Sequence, residues 1–358
     1  MGLRDLLRPR HDGALRALAF GILDRLRDDA PELTLDVGDR LDGRTCLVTG
    51  ANRGLGLAIA TELARRGGHV ILACRSGIPE VLDVVRRQSG SSGTVEAMHL
   101  DLGDLDSVER FVDELAEDGA CVDVVVLNAG VVPKEARRTK DGFDESFQVN
   151  FLADALLVTR MLERGVIANT VFAAPGSEPL DRDDLPDERR VPRIVVVSSE
   201  SHRSARPIPF GRLGVFHRWS MRQAVAEYGL SKRLIETWSA ELARRLRPHG
   251  EVEVAVHTAC PGAVNTDIAR EAPAFVKPAL DATMRAFFKP TEAGARPVLH
   301  LAASRALEGR TGLYVHVTRT KPRCPKADDP EIGRRLWDAA ARLLEGAGHP
   351  LLSRSTER

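Results

Sequence analysis

The sequence predicts an α/β fold in which helices flank a doubly wound parallel sheet of about seven strands, formed as a single domain. Short apolar runs alternate with amphipathic helical runs along most of the 358 residues. This alternation is typical of parallel strands joined by right-handed helical crossovers. Runs such as residues 122–127 are apolar without polar alternation, which fits a sheet buried on both faces. A glycine-rich turn also joins the first strand to the first helix.

The strands follow one another at regular intervals. They are predicted at residues 44–49, 69–74, 94–100, 122–127, 193–198, 252–259 and 312–317. Between them, apolar residues recur at helical spacing, most clearly in residues 105–117, as expected of helices that pack on a sheet. One domain therefore accounts for residues 42–318. Residues 164–192 are rich in charge and proline, which predicts an exposed insertion within it.

Both ends of the chain extend beyond this domain. Residues 1–41 are predicted to form an N-terminal helical extension, with an apolar stripe in residues 13–29. We expect that stripe to pack on its own domain or on a second subunit. The alternative is that it makes peripheral contact with a membrane near a lipid substrate. Residues 319–358 form a C-terminal helical extension whose helix starts near Asp329-Pro330. Its apolar stripe should dock on the core or on a partner subunit.

Composition narrows the class of protein. Lys and Arg number 51, and so do Asp and Glu, so no net charge recruits nucleic acid or an anionic membrane. The five cysteines and ten histidines are scattered without ligand spacing, which argues against a metal site and favours buried thiols in the reducing cytoplasm. No apolar run approaches the roughly 18–20 residues that a transmembrane helix needs.

The glycine-rich turn predicts a nucleotide site of the Rossmann type. Residues 49–56 follow the apolar run 46–48 and open an amphipathic helix. Gly50 permits the tight turn, Gly54 lets the backbone approach a pyrophosphate, and Gly56 allows close helix packing. The helix N-terminus offers free N–H groups and a positive dipole end to phosphates. The alternative is a glycine-rich surface turn, which does not account for the flanking strand and helix.

Tyr228 and Lys232 lie one helical turn apart, so their side chains share a helix face. A tyrosine has a reference pKa of about 10, too high for easy proton exchange near neutral pH. A neighbouring ammonium group favours the phenolate, so Lys232 is expected to lower the pKa of Tyr228. Taken alone, the spacing is common and most such pairs decorate a helix surface.

These motifs, in this order, resemble the short-chain dehydrogenase/reductase family over residues 42–318. The resemblance implies a catalytic tetrad of Asn150, Ser199, Tyr228 and Lys232. Ser198 is a rival for the serine role, although the family register favours Ser199. The resemblance also implies a cofactor site formed by the glycine loop, the ends of later strands and the tetrad helix: Gly50, Asn52, Arg53, Gly54, Leu55, Gly56, Asp101, Leu102, Asn128, Ala129, Gly130, Tyr228, Lys232, Pro261, Gly262 and Thr266.

Several short segments of the sequence resemble the retinol-dehydrogenase-type branch of the family. The matching segments are residues 73–75, 139–143, 198–202 and 336–337. This resemblance implies apolar alcohols, aldehydes or ketones as substrates. The sequence departs from the family at Leu127, where many members carry a second asparagine, and from the branch at Phe151 and Ala153, where it usually carries histidine and glycine.

Charge favours NADP(H) over NAD(H) as the cofactor. An NAD site usually places an acid after the second strand to accept hydrogen bonds from the ribose. Here that position holds Arg75, and Arg53 lies in the glycine loop. Two arginines at the adenosine end can bind a 2′-phosphate through charge-assisted hydrogen bonds. The alternative is two ordinary surface arginines in an arginine-rich protein.

The predicted activity is therefore hydride transfer between NADP(H) and an apolar alcohol or its aldehyde or ketone. In reduction, Ser199 donates a hydrogen bond to the carbonyl oxygen, and Tyr228 delivers the proton. The resemblance implies that Lys232 holds the cofactor ribose, and that Asn150 holds a water linking Lys232 to solvent. The alternatives are a C=C reductase of the same fold and a non-catalytic NADP(H)-binding sensor or scaffold. Family members often form homodimers or homotetramers.

Two segments are expected to shape an apolar substrate pocket at the carboxyl ends of the strands. Their apolar and aromatic residues are Pro207, Pro209, Phe210, Phe216, Trp219 and Met221, followed by Phe275, Val276, Met284, Phe287 and Phe288. The alternative is that these side chains pack the loops onto the domain.

Overall fold

A computed structural model describes residues 33–90, 93–173, 191–262 and 290–352. Within them, eight strands form one sheet in the order β3-β2-β1-β4-β5-β6-β7-β8. The strands are Thr45–Thr49 (β1), His69–Cys74 (β2), Val95–His99 (β3), Val124–Leu127 (β4), Arg193–Val197 (β5), Ala255–Cys260 (β6), Tyr314–His316 (β7) and Arg319–Lys321 (β8). All pairings are parallel except that of β7 with β8. The strand order reverses between β1 and β4, where such sheets bind their ligands.

Helices of more than ten residues cover both faces of this sheet. They are Gly54–Arg65 (α1), Ile78–Ser89 (α2), Leu105–Glu117 (α3), Ala153–Glu163 (α4), Met221–Arg245 (α5), Thr291–Ala303 (α6) and Pro330–Gly346 (α7). Apolar residues of α1, α2 and α6 form the core on one face, and those of α3, α4, α5 and α7 form it on the other. The predicted doubly wound α/β fold is confirmed.

Local sequence explains where these elements begin and why they are buried. All four residues of β4 are buried, as expected of a central strand covered by helices on both faces. The Asp104 carboxylate accepts hydrogen bonds from the N–H groups of Asp106 and Ser107 and so caps α3. Asp329 caps α7 in the same way, with Pro330 as its first residue.

The sheet continues past residue 318 through the antiparallel hairpin of β7 and β8. β8 has only three residues, two of them exposed, so neither apolar content nor alternation marks it in the sequence. Thr266, the N-terminal stripe of residues 13–29, most of the insertion and the aromatic stretch around residues 275–288 lie outside the described residues. Among the residues described, no helix is long and apolar enough to span a bilayer.

The C-terminal helix packs on the core of its own chain. Leu336, Ala340 and Leu344 of α7 are buried. The Trp337 ring stacks on that of Trp238 in α5 with centroids 5.7 Å apart. Helix α7 therefore holds the same long helix that carries Tyr228 and Lys232.

A buried histidine in β6 predicts acid sensitivity. His257 is fully buried, and neither ring nitrogen has a hydrogen-bond partner among the described residues. Burial, together with the charges of Arg193 and Arg323, lowers the pKa of His257 to about 3. Because the unfolded chain binds this proton more readily, the histidine stabilises the fold above its ordinary pKa of about 6.5. That contribution is lost as the pH falls towards 3.

We expect the unfolding free energy of His257→Leu to fall less steeply than that of the wild type as the pH is lowered. In the wild type, this one group should remove about 1.4 kcal/mol of unfolding free energy per pH unit between roughly pH 6 and pH 4. Urea unfolding at several pH values measures the slope, with His99→Leu controlling for loss of an exposed histidine. Equal slopes in wild type and His257→Leu would contradict the assignment.

Candidate active site

The glycine loop after β1 forms a tight turn against the end of β4 that leaves no room for a side chain at Gly56. Gly50 and Gly54 adopt left-handed backbone angles, with φ of 64° and 53°. A Cβ on Gly56 would lie 2.4 Å from the carbonyl oxygen of Gly50 and 2.5 Å from Nδ2 of Asn128, so only glycine fits there. The first N–H groups of α1 have no acceptor within the helix and are available to bind phosphate oxygens.

Hydrogen bonds join this loop to the end of β4 across the point where the strand order reverses. Thr49 Oγ1 accepts hydrogen bonds from the N–H groups of Asn128 and Ala129, both at 3.0 Å. Asn128 Nδ2 donates to the Thr49 carbonyl oxygen at 2.9 Å. The predicted cofactor residues of the first and fourth strands therefore form one connected unit.

Arg75 lies at the adenosine end of this crevice. It directly follows β2, and its side chain is 63% exposed, with Nη1 4.0 Å from Oδ1 of Asp101. Asn52 Nδ2 donates to the Ser76 carbonyl oxygen at 3.0 Å, which ties the glycine loop to the turn that holds Arg75. Leu102 is buried in the core. The structure thus places Arg75 beside Asp101 and joins Asn52 to the turn that holds Arg75.

Asn150 lies in a π-helical turn, Gln148–Leu152, directly before α4. The wider turn accommodates an amide that is almost fully buried and bonded on both sides. Asn150 Oδ1 accepts from the Val131 N–H at 2.8 Å, and Nδ2 donates to the Val131 carbonyl oxygen at 2.9 Å. Nδ2 also lies 3.0 Å from Ser231 Oγ on α5. Asn150 therefore joins the loop after β4 to the helix of the catalytic pair.

Ser199, Tyr228 and Lys232 meet at the carboxyl edge of the sheet. The Ser199 side chain lies close enough to the Tyr228 hydroxyl to lower its pKa. Lys232 Nζ donates to the Val197 carbonyl oxygen at 2.9 Å and lies 5.9 Å from the centre of the Tyr228 ring. A Cβ on Gly130 would lie 3.6 Å from Lys232 Nζ, which places the ammonium beside the predicted cofactor loop. Pro261 and Gly262, with φ of 78° at Gly262, follow the end of β6.

The expectation that Lys232 lowers the pKa of Tyr228 is wrong for this structure. Burial raises the pKa of Tyr228 to about 12, the Cys260 thiol acts in the same direction, and only the hydrogen bond with Ser199 opposes them. Burial also lowers the pKa of Lys232. The loss of hydration at the phenol outweighs the pull of a cation 5.9 Å from the ring centre. The phenol therefore carries its proton at neutral pH.

The geometry separates the two candidate serines. Ser199 Oγ lies 3.0 Å from Ser201 Oγ, and His202 Nδ1 lies 2.6 Å from the Ser199 carbonyl oxygen. Ser198 is 3% exposed, and its hydroxyl has no partner among the described residues. Ser199 is thus the serine that faces Tyr228, and its backbone is fixed by a buried histidine that sequence reasoning did not single out.

The described aromatic residues after Ser199 fix a loop to the domain. Trp219 Nε1 donates to Asp144 Oδ2 at 2.9 Å. The Phe216 ring lies 4.5 Å from the Arg138 guanidinium, and the Phe210 ring lies 4.1 Å from that of Arg335. These contacts fit the packing interpretation for the three rings, while the prediction of an apolar substrate pocket stays a prediction.

An open cleft lies between this loop and α5, with about 480 Å³ of empty space when the solvent at its mouth is included. Its walls include Leu213, Leu230 and Leu234, together with an ion pair in which both Arg206 guanidinium nitrogens lie 2.7 Å from the Glu227 carboxylate. The described residues that line it include neither Ser199 nor Tyr228.

The roles of two acids near the site, the partly exposed Glu200 and the buried Asp154, were missed by sequence reasoning. Glu200 accepts a hydrogen bond from the Tyr314 hydroxyl at 2.6 Å, next to Ser199. Asp154 is 2% exposed within α4. A carboxylate inside the apolar run of residues 151–158 was the signal that could have revealed Asp154. In the described part of the chain, no group of three or more His, Cys, Asp or Glu side chains could hold a metal ion.

Comparisons with known proteins agree with this geometry. The family described as short chain dehydrogenase matches residues 44–171. Retinol dehydrogenase 13 of Homo sapiens is 33% identical over 311 residues, which cover 85% of this chain and 85% of that protein. Retinol dehydrogenase 14 of Homo sapiens is 33% identical over 314 residues, which cover 83% and 85%. The predicted resemblance to retinol-dehydrogenase-type members is confirmed.

Solved structures share the fold. The crystal structure of an uncharacterized protein from Mycobacterium paratuberculosis matches 88% of this chain and 98% of its own, with a TM-score of 0.62 and 28% identity. A structure from Beutenbergia cavernae, described as an NAD(P) dependent gluconate 5-dehydrogenase with bound NADP, matches 78% and 96% with a TM-score of 0.52 and 26% identity. The chain belongs to the short-chain dehydrogenase/reductase family.

Proposed function

We propose that the protein is an NADP(H)-dependent oxidoreductase that interconverts an apolar alcohol and its aldehyde or ketone. The observation that carries this proposal is the meeting of Ser199, Tyr228 and Lys232 beside the glycine loop. A hydroxyl donor, a proton donor and a cation at one sheet edge are the groups that carbonyl reduction requires. The similarity to retinol dehydrogenases supports an apolar substrate.

The residues present fit a nicotinamide dinucleotide. The cradle between Gly50 and Gly56 excludes any side chain but leaves backbone N–H groups for a pyrophosphate. Lys232 Nζ lies beside Gly130, where it would hold the ribose hydroxyls of the nicotinamide half. When bound, NADPH supplies the hydride that reduces the carbonyl carbon.

The chain's own residues supply the proton and hold the reacting groups in position. Tyr228 is protonated at neutral pH because burial raises its pKa to about 12, so it is in the form that reduction needs. Its hydroxyl gives the proton to the substrate oxygen as that oxygen gains charge. Ser199 donates a hydrogen bond to the same oxygen. Asn150 fixes the position of α5 relative to the loop after β4 through Ser231.

The preference for NADP(H) is supported by Arg75. Its exposed guanidinium follows β2, and residues 74–77 contain no carboxylate that would repel a 2′-phosphate. Asp101 lies 4.0 Å away, so the guanidinium is held near the adenosine end and keeps donors for a second anion.

We expect Arg75→Asp to reverse the cofactor preference. The substitution removes a phosphate donor and adds an acceptor for the ribose hydroxyls of NAD(H). The ratio of kcat/KM with NADPH to that with NADH should fall by at least about a hundredfold, since two charge effects of roughly a tenfold each act together. Steady-state rates with both cofactors at fixed substrate measure this ratio.

Arg87→Asp is the matched control, because it makes the same charge change at an exposed position near the far end of α2. Its cofactor ratio should equal that of the wild type. An unchanged ratio in Arg75→Asp would refute the assigned role of Arg75.

The activity itself is tested by NADPH consumption with medium-chain aldehydes, retinal, steroid ketones and an enone. Carbonyl turnover that depends on Tyr228 would support the proposal. Turnover of the enone alone, at its C=C bond, would favour a reductase of the alternative type. NADPH binding without turnover across a broad panel would overturn the catalytic assignment.

A further inference from the structure

Helix α4 begins with a buried carboxylate that the proposed reaction does not use. Asp154 is 2% exposed, and its Oδ1 has no hydrogen-bond partner among the described residues. Its neighbours in sequence, from Phe151 to Val158, are otherwise apolar and almost fully buried. A buried carboxyl group without hydrogen-bond donors either keeps its proton or is compensated by a nearby charge.

The position of Asp154 points towards the catalytic lysine. Asp154 lies one helical turn beyond Asn150, and so on nearly the same face. Asn150 contacts Ser231, the residue before Lys232. In addition, Asn150 Oδ1 and Lys232 Nζ lie 3.3 and 3.6 Å from the same point, the Cβ position of Gly130. The side of the π turn and of α4 that carries Asp154 therefore faces the segment of α5 that contains Lys232.

Lys232 is the charged group that acts on Asp154. Burial raises the pKa of Asp154 to about 7, and the charge of Lys232 opposes this rise. Conversely, burial lowers the pKa of Lys232, and Asp154 is the first of the groups that raise it. Removing either partner would leave the other as an uncompensated charge inside the protein.

The two other groups that act on Lys232 are weaker counter-ions. Glu236 is engaged through Oε1, which accepts a hydrogen bond from Thr258 Oγ1 at 3.0 Å and lies 3.9 Å from Arg323 Nη1, whereas its Oε2 has no partner among the described residues. Burial raises the pKa of the Cys260 thiol to about 11, so this thiol is neutral at pH 7. Among the described groups, Asp154 is thus the carboxylate that acts most strongly on Lys232.

We propose that Asp154 is a positioning residue whose carboxylate holds Lys232 in its cationic form inside the closed site. The inference rests on the proposed function, because the cation matters for holding the ribose hydroxyls of the cofactor. Without Asp154, a buried Lys232 would give up its proton at a lower pH and lose this role.

Nuclear magnetic resonance of ε-¹³C-labelled lysine tests the pair without any substrate. The chain has seven lysines, and a Lys232→Arg variant identifies the Lys232 signal by its loss. Asp154→Asn should lower the pKa of Lys232 by at least about one unit, and Asp154→Glu should restore most of it. Glu163→Gln, which neutralises a buried acid paired with Arg160 at the other end of α4, should leave the Lys232 titration unchanged.

An unchanged Lys232 pKa in Asp154→Asn would overturn the inference. If Asp154→Asn does not fold, the wild-type signal decides, because Lys232 should report the ionisation of Asp154 as an inflection near pH 7. A Lys232 titration without that inflection would equally refute the pairing.

Activity supplies the second readout. In carbonyl reduction, the alkaline fall of kcat/KM should move to lower pH by about one unit in Asp154→Asn, which is about a tenfold loss above that pH. A uniform loss at every pH would indicate a merely structural role and would refute the inference. If the wild type reduces no carbonyl, the proposed function fails. The lysine titration still decides whether Asp154 keeps Lys232 protonated.

Discussion

Tyr228→Phe is expected to lower kcat for carbonyl reduction at least about a thousandfold, within the range that a positioned proton donor contributes. The substitution removes only the hydroxyl to which we assign the proton transfer and which lies near Ser199. The ring remains, so the packing of α5 and the position of Lys232 should persist. NADPH affinity should therefore stay within about threefold of the wild type, because the phenol is not needed to bind phosphates. Single-turnover kinetics with saturating NADPH measure the chemical step directly.

Tyr314→Phe is the matched control, since the chain contains only these two tyrosines. Tyr314 is buried and donates its hydroxyl to Glu200. Its loss should cost stability and should leave kcat within about tenfold, as expected when one buried hydrogen bond is removed away from the reacting atoms. Comparable losses in both variants would show that a general disturbance of the site, and not proton donation by Tyr228, sets the rate.

Gly56→Ala is expected to weaken NADPH binding at least about tenfold, because overpacking against rigid backbone costs on the order of 1–3 kcal/mol. The added Cβ would meet the Gly50 carbonyl oxygen at 2.4 Å. This contact is with backbone and cannot be relieved by turning a side chain. The glycine loop must therefore move away from the N-terminus of α1, which separates the two sets of N–H groups that bind the pyrophosphate. Calorimetric titration with NADPH measures the loss of affinity.

Gly38→Ala controls for the general effect of adding a methyl group, since no atom lies within 4 Å of the Cβ position there. Its affinity for NADPH should be that of the wild type. Thermal melting in the absence of NADPH separates a local effect on the loop from loss of folding. Wild-type affinity in Gly56→Ala would show that the loop does not hold the cofactor in the way the cradle implies.

The sheet and the ends of its strands could be predicted because their signals are local. Strands such as residues 69–74 and helices such as residues 105–117 keep one hydrophobic period over their whole length, and the structure places them within a few residues of the prediction. The meeting of Ser199 with Tyr228 is not local, since 29 residues separate them. It could be anticipated only because ordered motifs resembled a known family.

The remaining features depend on contacts that no local pattern records. The π turn at Gln148–Leu152 widens the helix by a fraction of a residue, which changes the face on which later residues lie. The raised pKa of Tyr228 depends on how completely surrounding atoms remove water from the phenol. The sequence spacing of Tyr228 and Lys232 indicated only that a cation lies near the phenol. The rings of Phe210 and Phe216 resembled a pocket wall by composition, yet each lies against an arginine from another segment.

The stacked indoles of Trp238 and Trp337 give the molecule a built-in spectroscopic signal. They are two of its three tryptophans, and their rings are stacked nearly parallel, with an interplanar angle of 1° and centroids 5.7 Å apart. One belongs to the helix that carries Tyr228, and the other belongs to the C-terminal helix. Near-ultraviolet circular dichroism and tryptophan emission will therefore report the docking of these two helices, whereas emission of bound NADPH will report the cofactor crevice. The two optical signals separate release of the C-terminal helix from loss of cofactor in the same sample.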